Sequence, residues 1–103
     1  MNVIVDNVVW EKINAFYEAA LARHVTLGEE TVIKKKNRLV SSLDDLGKSP
    51  ALYAKARLKD EWLSAGWREY ICEDFHFAYE LCEDDNGDDY VWIRDAVHSL
   101  LYY

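Results

Sequence analysis

A few histidines, a terminal tyrosine and two arginines are the side chains of this sequence with the right types for acid–base chemistry. His76 and Glu80 fall two pleats apart on one face of a predicted strand. Acid–base catalysis of a transfer reaction needs a base, a cation that stabilises the developing negative charge and an acid for the leaving group. Candidates for the acid and the base are His76, Glu80, His98 and Tyr103, and candidates for the cation are Arg68 and Arg94.

Each of these residues also has a plainer interpretation. His76 and Glu80 fit equally well as polar side chains on a solvated face of a sheet. A single histidine near the carboxyl end, such as His98, is often an ordinary surface residue. Both interpretations stay open at the level of the sequence.

Three cations, Lys55, Arg57 and Lys59, alternate with Ala56 and Leu58. If this segment is extended, the three cations point the same way and form a candidate binding site for a phosphate backbone. The alternative is a solvated loop. A second basic run occupies the outer side of a predicted helix, where such runs are usually the solvated side of an amphipathic helix; it comprises Lys34, Lys35, Lys36 and Arg38.

Metal sites are not expected. Cys72 and Cys82 lack the Cys-x-x-Cys spacing of a zinc site, and a Cys72–His76 nucleophile pair has no third residue to orient it. The acidic run at 83–89 fails as a calcium loop, because alignment on its glycine places Cys82 and Ile93 where carboxylates are required. A polar hairpin tip is the better interpretation, and no cofactor is expected.

The charge of the chain is uneven. The net charge is −7, but residues 1–68 carry eleven Lys/Arg against nine Asp/Glu, and residues 69–103 carry one Arg against ten Asp/Glu. A general attraction to nucleic acid is therefore not expected, and the acidic third favours a basic partner. The length of 103 residues fits one domain. With no signal peptide or membrane span in the sequence, we expect a cytoplasmic protein.

Apolar spacing predicts two helices followed by three strands. Residues 2–5 read as a short strand and 7–23 as a helix. The pair Thr26 and Glu29 forms a capping box for a second helix, which Gly47 would end. The period then changes to two, which predicts strands over 67–72, 75–82 and 90–98, whereas 52–58 is ambiguous between a helical turn and an extended segment. Tight turns are predicted at 73–74 and 86–87.

These elements predict an α+β fold, with an antiparallel two-helix hairpin packed on one face of an antiparallel sheet. The other face is expected to be open and to carry the function. Trp92 alternates with Val91 and Ile93, so that one side of the last strand is either exposed or covered by a partner. Trp62, Trp92, Tyr102 and Tyr103 are candidates for an aromatic platform, although aromatics in so small a domain are more often core.

The sequence resembles the RelE/ParE superfamily of bacterial toxins. The segment 66–79, Gly-Trp-Arg-Glu-Tyr-Ile-Cys-Glu-Asp-Phe-His-Phe-Ala-Tyr, lies over the central hairpin of that family without a gap. The hydrophobic run 91–93, His98 and the final Tyr103 resemble the family's last strand and carboxyl end. The first strand and helix, through Phe16 and Tyr17, also match in type.

The resemblance implies a β-α-α-β-β-β fold over residues 1–103 and the toxin of a type II toxin–antitoxin module. A RelE-like toxin cleaves mRNA in the ribosome, and a ParE-like toxin inhibits DNA gyrase. The implied partner is a cognate antitoxin, and a homodimer is left open. For the RelE-like activity, the residues carried over are His76, His98, Tyr103 and Arg68 as catalytic groups and Lys55, Arg57 and Lys59 as substrate-binding groups.

The sequence departs from the family where an RNA-cutting toxin carries positive charge. His76 stands at the position of an arginine, Ser99 and Leu100 replace basic residues after the last-strand histidine, and Ile71 replaces another. These departures favour a gyrase inhibitor over a nuclease. They also leave room for a non-toxic or catalytically decayed protein-binding module on the same fold.

Overall fold

A computed structural model describes residues 1–23 and 28–99 of the chain. An amino-terminal strand is followed by two long helices, two short 3₁₀ turns, a short third helix and three strands. The elements are β1 (Asn2–Val5), α1 (Asn7–Arg23), α2 (Glu29–Asp45), the 3₁₀ turns Leu46–Lys48 and Pro50–Leu52, α3 (Asp60–Ala65), β2 (Arg68–Cys72), β3 (Phe75–Glu83) and β4 (Asp89–His98). No helix within the described residues is long and apolar enough to cross a membrane.

The periodicity of the sequence located the long elements correctly. The helix at 7–23 and all four strands lie within one residue of their predicted bounds. The start and end of α2 differ from the prediction: Gly28, at φ 78°, precedes the helix, and Thr26 of the predicted capping box lies outside the described residues. Gly47 does not cap the helix. It lies in the first 3₁₀ turn, where an added Cβ would collide with the carbonyl oxygen of Met1 and lie 2.9 Å from a methyl of Val3.

The sheet is mixed, which corrects the prediction of an antiparallel sheet. Its strand order is β1-β4-β3-β2, with β3 antiparallel to both of its neighbours and β1 parallel to β4. The alternation of side chains that predicted β1 is the same for either direction of pairing, so it could not decide between them. Gly47 contributes to the position of β1, because only a residue without a Cβ leaves room for the Met1 carbonyl just before the strand and for the Val3 side chain within it.

The segment before α3 resolves the ambiguity over 52–58. Residues 54–56 are extended along the outer edge of β2, where the Ala56 N–H donates to the Trp67 carbonyl (2.8 Å) and the Glu69 N–H donates to the Ala54 carbonyl (3.0 Å). The chain then forms α3, which the sequence analysis missed. Gly66 ends this helix in the left-handed conformation at φ 73° and so directs the chain into β2.

The two faces of the sheet are covered differently. The first face, defined by Phe75, Phe77 and Tyr79 of β3, packs against α1 and α2 and forms the main core. The second face, defined by Ala78 between them, carries a smaller cluster made by Ala56, Trp62 and Ala78, with Leu58, Trp67 and Val97 packed against it. The prediction of an open second face is therefore only half right, since α3 covers its centre.

Candidate functional site

A β-bulge in β4 places two consecutive charged residues on the second face. Ala78 pairs with Asp95, whereas the next residue of β3, Tyr79, pairs with Ile93, so that Arg94 is the extra residue of the bulge. Asp95 shares the face of Ala78, and Arg94 contacts side chains of that same face. Without the bulge, alternation would send one of the two into the main core.

Arg94 is held by aromatic rings and by a carboxylate. Its guanidinium carbon lies 3.8 Å from the centroid of the Trp92 ring and 5.4 Å from that of Trp67. Its Nη1 is 3.6 Å from Glu80 Oε1, and the Trp67 indole N–H donates to Glu80 Oε2 at 2.7 Å. A cation over an aromatic face is attracted by the negative face of the ring. The four residues Trp67, Glu80, Trp92 and Arg94 are called the tryptophan–arginine cluster below.

The tryptophan–arginine cluster is partly exposed. Arg94 and Glu80 keep 29% and 32% of their side-chain surface, and Ile4, which pairs with Trp92 across β1 and β4, is 50% exposed. At one end of the cluster Cys82 donates its S–H to Glu80 Oε1 at 3.1 Å. Burial, together with this carboxylate, raises the pKa of the Cys82 thiol, so that it stays protonated and is a poor nucleophile.

Asp95 connects the helices on the two sides of β4. Its carboxylate accepts from Lys12 Nζ of α1 at 2.5 Å and from the Trp62 indole N–H of α3 at 2.9 Å. Burial acts to raise the pKa of Asp95, but the hydrogen bonds from Lys12, Trp62 and the Ala96 backbone outweigh it and hold the pKa below its usual value. Lys59 Nζ lies 4.0 Å from the same carboxylate. The contacts of Asp95 are therefore explained by the packing of the helices against β4, without a catalytic role.

His76 lies between a carboxylate and a hydroxyl on the second face. Its Nδ1 is 3.2 Å from Glu69 Oε2, and its Nε2 is 2.9 Å from Ser99 Oγ. The order Ser–His–acid is that of a nucleophilic triad, but the Ser99 hydroxyl donates its single proton to the Asp74 carbonyl at 2.9 Å. The same carbonyl accepts the Ser99 N–H at 2.8 Å, so it competes with His76 Nε2 for the hydroxyl proton and holds Ser99 in place. The arrangement ties the end of β4 to the turn at 73–74.

The sequence-predicted catalytic residues are not brought together. His76 and Glu80 share the second face as expected, but each is engaged by other partners, His76 by Glu69 and Ser99 and Glu80 by the tryptophan–arginine cluster. Arg68 pairs with Tyr79 and therefore belongs to the first face, where its Nη1 donates to the Tyr53 carbonyl at 2.5 Å. Tyr103 lies outside the described residues.

His98 is in the main core, which corrects the expectation of a surface histidine. It pairs with Phe75 across the sheet, its ring stacks on Phe16 with the centroids 3.8 Å apart, and only 5% of it is exposed. Burial lowers the pKa of His98, partly opposed by the nearby carboxylate of Asp74. A histidine enclosed by two phenylalanines on the first face is out of reach of a substrate on the second.

The three predicted cations do not form one row. Ala56 is buried in the second-face cluster, and its neighbours Lys55 and Arg57 are exposed. Lys59 instead turns onto Asp95 and lies 5.8 Å from the Trp62 ring centroid. On α2, Lys34 pairs with Glu30, which agrees with the solvated side of an amphipathic helix. The phosphate-binding row expected from alternation is therefore reduced to two exposed cations.

The sequence analysis missed the partners that occupy its candidate residues. Glu69 and Asp95 were not singled out, and Ser99 was noted only as a departure from the RelE/ParE pattern. The roles of all three depend on strand register, which local sequence patterns do not determine. One signal for the bulge was present: the polar pair at 94–95 interrupts the alternation of apolar residues between Val91 and Val97.

Comparison with known proteins adds no family assignment: no protein-family model matches the chain, and no match is found among curated proteins or among solved structures. The resemblance to RelE/ParE toxins stays a prediction from the sequence.

Proposed function

We propose that this chain acts by binding another protein through the second face of its sheet, and not by cleaving RNA. The observation that carries the proposal is the tryptophan–arginine cluster, in which two tryptophans and an arginine are left partly exposed on a sheet face. Tryptophan and arginine are the residues most enriched where protein interfaces concentrate their binding energy. Exposed Ile4 beside the cluster adds an apolar contact of the same kind.

The placement of the candidate catalytic residues argues against a nuclease. Cleavage would require an acid, a base and a cation within hydrogen-bond reach of one phosphate. Arg68 and His98 belong to the first face, whereas His76 belongs to the second. The only Lys or Arg of the acidic third, Arg94, is already paired with Glu80.

Within this proposal the RelE/ParE resemblance suggests two identities for the protein. A ParE-like toxin would bind DNA gyrase and be neutralised by an antitoxin; it needs no catalytic group, which suits the separation of the candidate residues. A non-toxic binding module is the second candidate, and the −9 balance of residues 69–103 favours it, because an acidic surface selects basic partners.

Controlled induction of the chain in a bacterial host tests the proposal. We expect that cellular transcripts remain uncut, that His76→Ala and Arg57→Ala change nothing, and that any growth arrest is lost in Trp92→Ala. Ile33→Ala, an exposed apolar residue on α2, is the matched control. Arrest with DNA breaks would indicate the gyrase target, and normal growth would indicate the non-toxic module. Transcript cleavage that depends on His76 would overturn the proposal.

A further inference from the structure

The acidic loop between β3 and β4 lies at one end of the second face. Glu83 and Asp89, which flank the loop, are paired in the register directly after Cys82 and Tyr90, and Tyr90 precedes Trp92 on the same face. Asp84 organises the loop, because its carboxylate accepts from the backbone N–H groups of Asn86 and Asp88 at 2.9 Å each. The other carboxylates of the loop, those of Glu83, Asp85, Asp88 and Asp89, belong to exposed residues.

The tryptophan–arginine cluster already contains the kind of group that it would bind from a partner. Its aromatic rings and the Glu80 carboxylate surround a guanidinium, and that guanidinium is the chain's own Arg94. The ion pair with Glu80 is loose, at 3.6 Å, while Glu80 Oε2 is taken by Trp67. A cation from outside therefore competes with a weakly held, partly exposed group and not with a buried salt bridge.

We propose that the second face binds an extended, basic segment of a partner protein, with one arginine or lysine entering the tryptophan–arginine cluster in exchange for Arg94 and another meeting the carboxylates of the 83–89 loop. This inference rests on the proposed function and specifies the chemistry of the partner. Charge complementarity selects the occupant, since this third of the chain holds one basic residue and ten acidic ones.

The geometry also sets the spacing of the partner's cations. Asp88, an exposed residue of the loop, precedes Trp92 by four residues, which corresponds to about 13 Å along an extended chain. Because alternate side chains of an extended segment point the same way, the two cations of the partner should be separated by an even number of residues. A separation of four residues, about 13 Å, covers the distance from the cluster into the loop.

Nuclear magnetic resonance of the full chain measures this directly. The probe is a ten-residue serine–threonine peptide with two arginines four residues apart, and the matched probes replace both arginines by glutamate or use single-stranded oligouridine. The readout is the indole N–H signals of the four tryptophans. Trp62, fully buried and bonded to Asp95, is the internal control. We expect the arginine peptide to shift the Trp67 and Trp92 signals and to leave that of Trp62 unchanged.

Substitution of Arg94 tests the exchange by whether affinity for the arginine peptide rises or falls. Arg94→Ala removes the internal competitor, so the peptide should bind roughly fivefold more tightly, whereas Trp92→Ala should weaken binding roughly tenfold. Arg57→Ala, which makes the same change in net charge at an exposed residue outside the cluster, should leave affinity within about twofold. Loss of binding of the arginine peptide in Arg94→Ala would overturn the exchange, because Arg94 would then support the bound peptide instead of competing with it.

The probes separate failure of this inference from failure of the proposed function. Binding of the glutamate peptide, dependent on Trp92, would overturn the basic partner but keep the second face as a protein-binding surface. Binding of oligouridine in preference to both peptides would overturn both. Failure of every probe to shift the Trp92 signal would overturn the basic segment, and loss of the in vivo effect in Trp92→Ala would then decide separately on the protein-binding face.

Discussion

His98 has the residue type of a catalytic acid or base, but it is buried in the fold. Its position after a hydrophobic strand made it a catalytic candidate, yet its ring lies between Phe16 and Phe75 in the main core. Burial lowers its pKa below 6.5, so the folded chain holds it neutral near pH 7. What the residue contributes is therefore a pH dependence of stability.

The sign of that dependence follows from proton linkage. Between the lowered folded pKa and the unfolded value of about 6.5, the unfolded chain binds more protons, so the free energy of unfolding should fall as the pH is lowered below 6.5. His98→Leu removes this contribution. We expect the variant to be less stable at pH 7 by about 1–2 kcal/mol, because it loses the ring stacking, and the difference from the original chain to shrink by pH 5.

Urea unfolding of both chains at pH 7, 6 and 5 measures the effect. The Asp95 carboxylate does not interfere with this measurement. Its pKa is lowered on folding, so its contribution to stability is lost only at pH values below this window. His76→Gln keeps His98 and serves as the control, so it should retain the loss of stability below pH 6.5. An equal gap between His98→Leu and the original chain at all three pH values would contradict the assignment.

At the scale of elements, the turn at 73–74 joins β2 to β3 with two residues in the left-handed region. Glu73 has φ 50° and Asp74 has φ 65°, although neither is glycine or asparagine. Both central residues of a two-residue type I′ hairpin need positive φ, which is why Asn-Gly is favoured there. Ser99 supports the strained turn, since its N–H and its hydroxyl both donate to the Asp74 carbonyl, at 2.8 and 2.9 Å.

Asp74→Gly should therefore stabilise the chain by about 1 kcal/mol, because glycine adopts positive φ without the steric cost of a Cβ while the carbonyl that Ser99 uses is retained. The measurement is the midpoint of urea unfolding at neutral pH. Asp85→Gly, also an exposed aspartate-to-glycine change in a hairpin loop, is the control and should bring no gain. A loss of stability in Asp74→Gly would mean that the aspartate side chain matters more than the backbone strain.

The elements also show what the sequence could and could not predict. The bounds of α1 and of the strands followed from a local period of 3.6 or 2, which depends only on neighbouring residues. The parallel pairing of β1 with β4, the bulge at Arg94 and the contact of Lys12 with Asp95 join residues far apart in sequence, and local patterns carry little information about them. The candidate residues lie on different faces for the same reason: their types were visible in the sequence, but the face on which each lies depends on register.

At the scale of the whole molecule, charge is concentrated where the binding surface is proposed. Residues 69–103 hold ten carboxylates against one arginine, and they include β3, β4 and all of β2 except Arg68, three adjacent strands. Pairing relieves part of this repulsion within the described residues, through Lys12 on Asp95, Arg94 on Glu80 and Arg38 on Glu73. The hairpin loop at 83–89 carries five of these carboxylates, all on exposed residues.

Salt should consequently stabilise this protein. The Debye length falls from about 14 Å at 0.05 M to about 4 Å at 0.5 M ionic strength, which screens repulsion between exposed carboxylates more than it weakens the partly buried Lys12–Asp95 pair. We expect the free energy of unfolding to rise by an amount on the order of 1 kcal/mol over this range.

A variant with Asp85→Asn and Asp89→Asn should start more stable at low salt and gain less from added NaCl. Urea unfolding of the two chains at both salt concentrations provides the measurement. If salt instead lowered stability equally in both, attraction and not repulsion would dominate the electrostatics of the fold, and the acidic face would have no unsatisfied charge to offer a basic partner.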